Sequence, residues 1–252
     1  MQLSVIVITK NEAHNIEQCL ASVKFADEII VLDSGSTDGT VQKAKEMGAS
    51  MSLASDWQGF GVQKNRALAL ASGQWVLSID ADERVTPELQ AAVLAAIQSA
   101  EFDVYTCARL SSYCGQYMRH SGWYPDLTAR LFKRGQAQFS NDLVHEKLVT
   151  SRPVGQLPGH LLHESFTSFE AVLDKANRYS TSGAELAFSQ GKKASLSKAI
   201  AHGFWAFFRT YVLRLGFLDG RMGLVLAISN AEGTYYRYLK LWRMTQHSKP
   251  SR

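Results

Sequence analysis

The chain has 252 residues, of which 46% are hydrophobic and 20% are charged, and its net charge is +4. This apolar share excludes an intrinsically disordered chain, and the length is sufficient for one large α/β domain with its own core. Three scattered cysteines without a CxxC pair exclude a disulfide framework and favour a reducing compartment. We expect no signal peptide and no membrane-spanning helix, because the N-terminus lacks a basic stretch and no apolar run reaches 18 residues.

Strand and helix patterns alternate through the first hundred residues. Short runs rich in β-branched residues predict strands, and apolar residues at helical spacing predict helices. In chain order the predicted elements are strand 3–9, helix 11–23, strand 28–33, helix 40–47, helix 63–72, strand 74–80 and helix 87–100. Gly73 is expected to cap the third helix, and Thr86-Pro87 is expected to open the fourth. This alternation predicts an α/β fold with a mostly parallel sheet covered by helices.

The second part of the chain has weaker patterns. Residues 102–110 and 129–134 are predicted strands of a mixed sheet, and residues 168–191 and 195–245 are predicted helices broken near glycines. We therefore expect one α/β domain over residues 1–167 and a basic helical extension over residues 168–252.

Acid-bearing motifs follow the three predicted parallel strands. The motifs are Thr9-Lys10-Asn11-Glu12, Asp33-Ser34-Gly35-Ser36-Thr37-Asp38 and Asp80-Ala81-Asp82-Glu83. Ligands of open α/β sheets bind beyond the carboxyl ends of the strands, so these motifs are expected to form one pocket. Each motif taken alone could also be a loop that caps the next helix.

The pair Asp80 and Asp82 has the chemistry of a cation site. Two carboxylates two residues apart on a turning chain offer the hard oxygen ligands that Mg²⁺ or Mn²⁺ prefers, with substrate phosphates completing the site. A nucleotide diphosphate is therefore an expected substrate. The sequence contains neither a P-loop nor a G-x-G-x-x-G motif after the first strand.

Several segments resemble one enzyme family. SVIVITKNEAHNIEQCLASV, EIIVLDSGSTDGT and VLSIDADERVTPEL resemble the nucleotide-binding half of the family 2 glycosyltransferases, which have the GT-A fold and invert the anomeric carbon. Within that family, QKNRAL, GWYPDLTARLF, LVHEKL, HLLHESF, GFLDGRMG and YLKLW resemble the bacterial lipopolysaccharide-core β-1,4-glucosyltransferase subgroup. The resemblance implies a GT-A (Rossmann-like) fold and metal-dependent transfer of a hexose, namely glucose, from a UDP-sugar.

The resemblance also implies roles at the base of the nucleotide. Thr9, Asn11 and Glu12 at the end of the first strand would hold the base, and Asp33 would hydrogen-bond the uracil edge. Gly35 would let the backbone turn after that strand. Asp38 would cap the helix that follows.

Further implied roles concern the ribose, the metal and the sugar. Lys64 and Asn65 would close over base and ribose, Asp80 would contact ribose or sugar, and Asp82 would ligate Mg²⁺ or Mn²⁺. His163 is the histidine expected to return to the metal or the diphosphate.

Inverting transfer needs a base that takes the proton of the acceptor hydroxyl. The Glu-Asp pair common in the family is missing, and Asn141-Asp142-Leu143-Val144-His145-Glu146 stands in its place. We assign Glu146 as the base, with Asp142 as the alternative. His145 and His160 can equally be structural histidines, and no cysteine pair accompanies them to form a zinc site. The cysteines are expected to be core residues.

The C-terminal region carries a strong positive charge. Residues 192–252 contain eleven Lys and Arg against two acidic residues, a net charge of +9, whereas residues 1–191 contain 16 against 21, a net charge of −5. Within it, residues 194–220 combine aromatic and basic side chains at helical spacing, which is typical of an interfacial amphipathic helix but also of a helix that packs its aromatic face. We expect an anionic membrane surface as a partner and no nucleic acid, because no nucleic-acid-binding module is present.

Three functions remain open from the sequence. The first is an inverting glycosyltransferase that acts on a lipopolysaccharide-core or other lipid-linked acceptor at the inner face of the cytoplasmic membrane. The second is a family 2 transferase with another donor, for capsule or glycoprotein glycans. The third is a non-catalytic sugar-nucleotide-binding protein, which the presence of Asp80, Asp82 and Glu146 disfavours.

Overall fold

The computed structural model describes residues 1–142 and 146–247. The strands are β1 (Leu3–Thr9), β2 (Glu28–Asp33), β3 (Ser50–Leu53), β4 (Trp75–Asp80), β5 (Glu83–Val85), β6 (Val104–Tyr113), β7 (Gln116–Tyr117), β8 (Asp126–Lys133), β9 (Gln138–Phe139), β10 (Leu148–Val149) and β11 (Val154–Phe166). The α-helices are α1 (Ile16–Ala21), α2 (Thr40–Glu46), α3 (Phe60–Leu70), α4 (Pro87–Ser99), α5 (Phe169–Ser189), α6 (Leu196–Phe208) and α7 (Gly220–His247). A π-helical turn (Arg209–Leu213) and a 3₁₀ turn (Gly216–Asp219) connect α6 to α7.

One mixed sheet organises the strands, and its order is β3-β2-β1-β4-β8-β6-β11-β5, with β7 paired to β6. The four neighbouring strands β3, β2, β1 and β4 run parallel, whereas β8 runs antiparallel to both β4 and β6. A separate antiparallel pair joins β9 to β10. The predicted α/β class, with a mixed sheet and helical cover, is confirmed.

The core lies on both faces of the sheet. Strand β1 is buried along its whole length, and its successive side chains enter two different clusters. Val5 and Val7 pack with side chains of α1 and α4, whereas Ile6 and Ile8 pack with Ala67 of α3. This alternation explains why β1 reads as a continuous apolar run, because a strand covered by helices on both faces has no solvent side.

The chain divides into two compact units. The first contains Met1–Arg109 and Asp126–His163, and the second contains Leu110–Pro125 and Glu164–Arg252. The domain division at residue 167 stays a prediction. In the second unit α7 packs against α5 and α6. No helix in the described ranges combines the length and apolarity that a membrane crossing requires.

Two expectations about helix ends differ in the structure. Helix α3 ends at Leu70 with Ala71 extended, so Gly73 is not its cap. Gly73 instead lies against β1, where a Cβ atom would come within 2.7 Å of the Ser4 backbone nitrogen. Helix α1 begins at Ile16 and not at residue 11, because Asn11 adopts a left-handed conformation with φ of 57°.

The start of α4 follows the prediction. Thr86 is its N-cap and accepts a hydrogen bond from the Leu89 N–H, and Pro87 occupies the first turn. Asp38 lies before the N-cap of α2, which is Gly39, and its carboxylate accepts the Thr40 N–H at 3.0 Å. Asp38 thus supports the start of α2 without being the capping residue.

Candidate active site

The topology of the sheet brings the three acid-bearing motifs to one edge. Thr9 at the end of β1 is in register with Asp33 at the end of β2, and Ile8 is in register with Asp80 at the end of β4. The strands are parallel and adjacent, so the loops that follow them emerge side by side. This edge is where open α/β sheets bind their ligands.

The loops after β1 and β2 are joined by hydrogen bonds. The buried Asp33 carboxylate accepts the N–H groups of Gly35 and Ser36, both at 2.8 Å, and Gly35 makes the turn with φ of +88°. The Asn11 side-chain oxygen accepts the Thr37 N–H at 2.8 Å, and the Asn11 N–H donates to the Ser36 hydroxyl at 2.8 Å. The polar atoms of Asn11 and Asp33 therefore fix the shape of this edge.

Two further side chains at the end of β1 differ in their surroundings. The Thr9 hydroxyl is buried and has no hydrogen-bond partner among the described residues. Glu12 accepts a hydrogen bond from the Asn15 side chain at 2.9 Å, and burial raises the pKa of its carboxyl. An unpaired buried hydroxyl is costly, so Thr9 offers a polar group that a ligand could satisfy.

A buried lysine joins the candidate base to the carboxylate at the end of β4. The Lys64 ammonium on α3 lies 2.9 Å from Asp80 Oδ1 and 2.7 Å from Glu146 Oε1. Lys64 is almost completely buried, and its ammonium also lies over the Phe139 ring. Helix α3 can approach the backbone of Ser140 because Gly61 has no side chain. A Cβ atom on Gly61 would lie 1.7 Å from the Ser140 carbonyl oxygen.

A buried arginine holds the other side of Asp80. The Arg130 guanidinium on β8 donates to Asp80 Oδ2 at 2.9 Å and to Glu83 Oε1 at 2.5 Å, while Glu83 Oε2 accepts the Asp80 N–H. Burial raises the pKa of Asp80, but the charges of Arg130 and Lys64 outweigh it and hold that pKa well below its usual range. Asp80 is therefore ionised, and both of its oxygens have a cationic partner.

Glu83 is the most enclosed charge of this cluster. Its side chain is fully buried, and burial raises the pKa of its carboxyl even though Arg130 acts in the opposite direction. Arg109 lies 3.6 Å from Glu83 and donates to Asp126 at 2.7 Å. A buried carboxylate between two guanidinium groups is stable only while those partners remain in place.

Asp82 and His163 form the part of the site that could hold a cation. Their Oδ2 and Nε2 atoms lie 3.2 Å apart, because β11 pairs with β5 and places His163 opposite Glu83. In residues 1–142 and 146–247 no three His, Cys, Asp or Glu side chains gather as a complete metal site. One carboxylate and one imidazole still fit a Mn²⁺ ion, and less well the harder Mg²⁺, with the other ligands taken from water and phosphate oxygens.

The remaining predicted residues are placed as follows. Asn65 donates to the Phe139 carbonyl at 2.8 Å and accepts its N–H at 2.9 Å, so its amide binds backbone. Asp142 is exposed and accepts a hydrogen bond from the Ser140 hydroxyl. The backbone of His160 pairs with Thr86. His145 lies outside the described residues.

Sequence reasoning missed Arg130 and Arg109, the two guanidinium groups beside Glu83. A signal was present for Arg130, because a charged residue inside the apolar strand pattern TARLF has to find a buried counter-ion. The identity of that counter-ion depends on the antiparallel register of β8 against β4, which pairs Leu77 with Leu131. Such a long-range register does not follow from the local pattern.

Comparisons with known proteins give consistent results. The profile described as Glycosyl transferase family 2 matches residues 4–149. An "Uncharacterized glycosyltransferase" of Rickettsia bellii is 32% identical over 266 residues, which covers 99% of this chain and 89% of that protein. The "Lipopolysaccharide core biosynthesis glycosyltransferase LpsC" of Rhizobium meliloti is 32% identical over 257 residues, covering 98% and 93%.

Solved structures support the architecture. A crystal structure of S. aureus TarS in complex with UDP aligns with a TM-score of 0.51 and 17% identity, and the alignment covers 100% of this chain and 93% of that chain. At this identity the likeness concerns the fold alone.

Proposed function

Because the chain belongs to glycosyl transferase family 2 and has the GT-A fold, we propose that it transfers glucose from UDP-glucose to a lipopolysaccharide-core or other lipid-linked saccharide, with inversion at the anomeric carbon. The full-length similarity to LpsC supports this class of acceptor. The observation that carries the proposal is the cluster around Asp80, where a buried lysine and arginine position one carboxylate at the ligand-binding edge.

In the proposed donor site, Thr9, Asn11 and Glu12 hold the base. The buried Thr9 hydroxyl supports this role, because a base edge would supply its missing partner. Contact between Asp33 and the uracil remains part of the proposal. Asp33 also accepts two hydrogen bonds from its own loop, which supports a second role in holding the shape of that loop.

Asp82 and His163 would hold a divalent cation beside the diphosphate. Such an ion, when bound, supplies positive charge that stabilises the leaving nucleoside diphosphate. The pairing of an Asp carboxylate with an imidazole supports this assignment, since carboxylate oxygens suit both ions and Mn²⁺ accepts an imidazole nitrogen more readily than the harder Mg²⁺ does. Asp80 would contact the ribose or the sugar, and Lys64 and Asn65 would close over the base and the ribose. The contact of Lys64 with Asp80 and the backbone bonds of Asn65 support this arrangement.

Glu146 is the proposed base for the acceptor hydroxyl. It would take the hydroxyl proton while the oxygen attacks the anomeric carbon and the bond to the diphosphate breaks. Contact with Lys64 holds the Glu146 carboxylate beside Asp80, whereas Asp142 is exposed and bonded to Ser140. These surroundings favour Glu146 over Asp142.

The proposed acceptor is attached to a lipid, so we place the protein on the inner face of the cytoplasmic membrane as a peripheral protein. The net charge of +9 over residues 192–252 supports this placement, since anionic headgroups attract basic segments.

A donor panel tests the proposed reaction. Purified protein is incubated with Mn²⁺, a lipopolysaccharide-core acceptor and radiolabelled UDP-glucose, UDP-galactose, UDP-N-acetylglucosamine or GDP-mannose, alongside Asp82→Asn. We expect UDP-glucose to be consumed fastest and Asp82→Asn to lose nearly all transfer while remaining folded. If another donor is consumed fastest, its sugar replaces glucose in the proposed reaction. If Asp82→Asn keeps both its transfer rate and its metal dependence, the proposed metal site at Asp82 is rejected.

A further inference from the structure

The connection between α6 and α7 exposes an unusual amount of apolar surface. This segment, residues 209–221, is called the apolar turn below. Five of its side chains are between 40% and 56% exposed: Val212, Leu213, Leu215, Phe217 and Leu218. In the part of the chain that the structure describes, 26 large hydrophobic side chains are exposed, and ten of them lie between residues 200 and 228. Such a concentration of exposed apolar side chains in one segment is typical of an interaction site.

The neighbouring helices carry further exposed apolar side chains. Phe204 and Trp205 near the end of α6 are 71% and 53% exposed, and Leu224 in the first turns of α7 is 39% exposed. Trp and Phe beside aliphatic side chains are typical of a segment that lies at the boundary between headgroups and acyl chains.

The charge of this surface has one sign. Arg209, Arg214 and Arg221 are exposed at the apolar turn. Between residues 199 and 231 the only acidic residue is Asp219, and it is buried. Every exposed charge within this stretch of sequence is therefore positive, which complements an anionic bilayer.

Buried hydrogen bonds hold the apolar turn in a fixed shape. The Asp219 carboxylate accepts the N–H groups of Arg119 and His120 at 3.0 and 3.1 Å, and the Ser121 hydroxyl at 2.8 Å. The Ser121 N–H in turn donates to the Arg214 carbonyl at 2.8 Å. The apolar side chains thus point outward from an ordered backbone.

Close backbone packing restricts the turn further. A Cβ atom on Gly223 would lie 1.8 Å from the Gly216 carbonyl oxygen, and Leu215 adopts a left-handed conformation with φ of 55°. A non-glycine residue in that conformation is strained and persists only where the surrounding structure imposes it. The outward apolar side chains are therefore a built feature of the fold.

We propose that the apolar turn is a preformed wedge that inserts into an anionic lipid bilayer, with Arg209, Arg214 and Arg221 at the headgroups. This inference rests on the proposed function for the lipid-linked acceptor, and it names the surface that would reach it. Insertion of a rigid wedge loses little conformational freedom, because the backbone is already ordered before binding.

Vesicle flotation with matched variants tests the wedge. The full chain is mixed with phosphatidylglycerol/phosphatidylcholine vesicles or with pure phosphatidylcholine vesicles, at low and high salt. The test variant is Leu213→Ser/Leu218→Ser, and the control is Leu53→Ser/Leu186→Ser, which removes two leucines elsewhere that are at least as exposed. A second variant, Arg209→Gln/Arg221→Gln, removes charge alone.

The wedge predicts strong binding to anionic vesicles that falls as salt rises. Each inserted leucine is worth up to about tenfold in binding, so the test variant should lose roughly 30–100-fold and the control less than about twofold. The arginine variant should lose about fivefold per residue. Brominated lipids should quench wild-type tryptophan fluorescence, because Trp205 borders the apolar turn.

Three results would overturn the wedge. One is equal loss in the test and control variants, and a second is no binding by the wild type at low salt. The third is concentration-dependent dimerisation that Leu213→Ser/Leu218→Ser abolishes, which would make the surface a contact between two copies. UDP-glucose hydrolysis without vesicles should be equal in all variants. Vesicle binding by a protein that transfers no glucose from UDP-glucose to the acceptor would reject the proposed reaction and leave the wedge standing.

Discussion

Replacing Arg130 with methionine probes the charge cluster that positions Asp80. The guanidinium is the closest cation to Glu83, at 2.5 Å, and it also donates to Asp80 at 2.9 Å. Glu83 is fully buried, so Arg130→Met leaves a carboxylate in the interior, and among the described residues Arg109 at 3.6 Å is then its remaining ion-pair partner. Removal of one partner of a buried ion pair costs about 3–5 kcal/mol of unfolding free energy.

The pH dependence of this loss has a definite sign. Burial already raises the pKa of Glu83, and the loss of Arg130 removes the charge that lowers it. A carboxyl whose folded-state pKa lies above its unfolded value of about 4.3 favours the folded state at low pH, and that contribution disappears as pH rises through the folded-state pKa. The deficit of Arg130→Met should therefore be largest near pH 8 and shrink toward pH 5.

Urea unfolding at pH 8 and at pH 5 measures the loss of unfolding free energy in Arg130→Met. Two further variants serve as controls. Arg66→Met removes an exposed pair with Asp56 and should cost less than about 1 kcal/mol. Glu83→Gln added to Arg130→Met should recover about 1–3 kcal/mol, because the unpaired charge is removed. The reasoning is refuted if Arg130→Met costs no more than Arg66→Met, or if Glu83→Gln deepens the loss.

Three further outcomes follow from the site and its surroundings. Glu146→Gln should lower kcat by about 10²–10⁴-fold with little change in the donor KM, as steady-state kinetics would measure. If Glu146→Gln remains active and Asp142→Asn loses activity instead, the base is Asp142. Gly73→Ala should lower the free energy of unfolding by about 1–3 kcal/mol, because its Cβ would lie 2.7 Å from a backbone nitrogen of β1; an unchanged urea midpoint would contradict this close packing. Iodoacetamide should modify only Cys114 in the native protein, because burial raises the pKa of Cys19 and raises that of Cys107 to about 12; mass spectrometry that finds either buried cysteine labelled at the rate of Cys114 would contradict their burial.

The strands that form the site edge could be predicted because their local pattern is unambiguous. β1, β2 and β4 are short apolar runs covered on both faces, and each ends where its polar motif begins. Parallel pairing then requires the motifs to emerge together, which the register of Thr9 with Asp33 shows. The position of the site thus follows from sequence and general sheet rules.

The contribution of strand β11 to the site could not be predicted from local patterns. Strand β11 contains Gly155, Pro158 and Gly159, which are typical of loops, and its strand conformation depends on pairing with distant segments. That pairing brings His163 to Asp82, an arrangement that only the family resemblance implied. Helix α1 likewise starts late because the loops at the site hold Asn11 in a left-handed conformation.

Calorimetric titration of UDP tests most directly whether this edge is a metal-assisted donor site. Wild-type protein and Asp82→Asn are each titrated with UDP in the presence of Mn²⁺ and in the presence of EDTA. Asp82 is partly exposed and contacts His163, so the variant should remain folded, as circular dichroism would verify. We predict that Mn²⁺ strengthens UDP binding at least tenfold in the wild type and has almost no effect in Asp82→Asn. Equal UDP affinity with Mn²⁺ and with EDTA in the wild type, or full Mn²⁺ enhancement in Asp82→Asn, would contradict the proposed site.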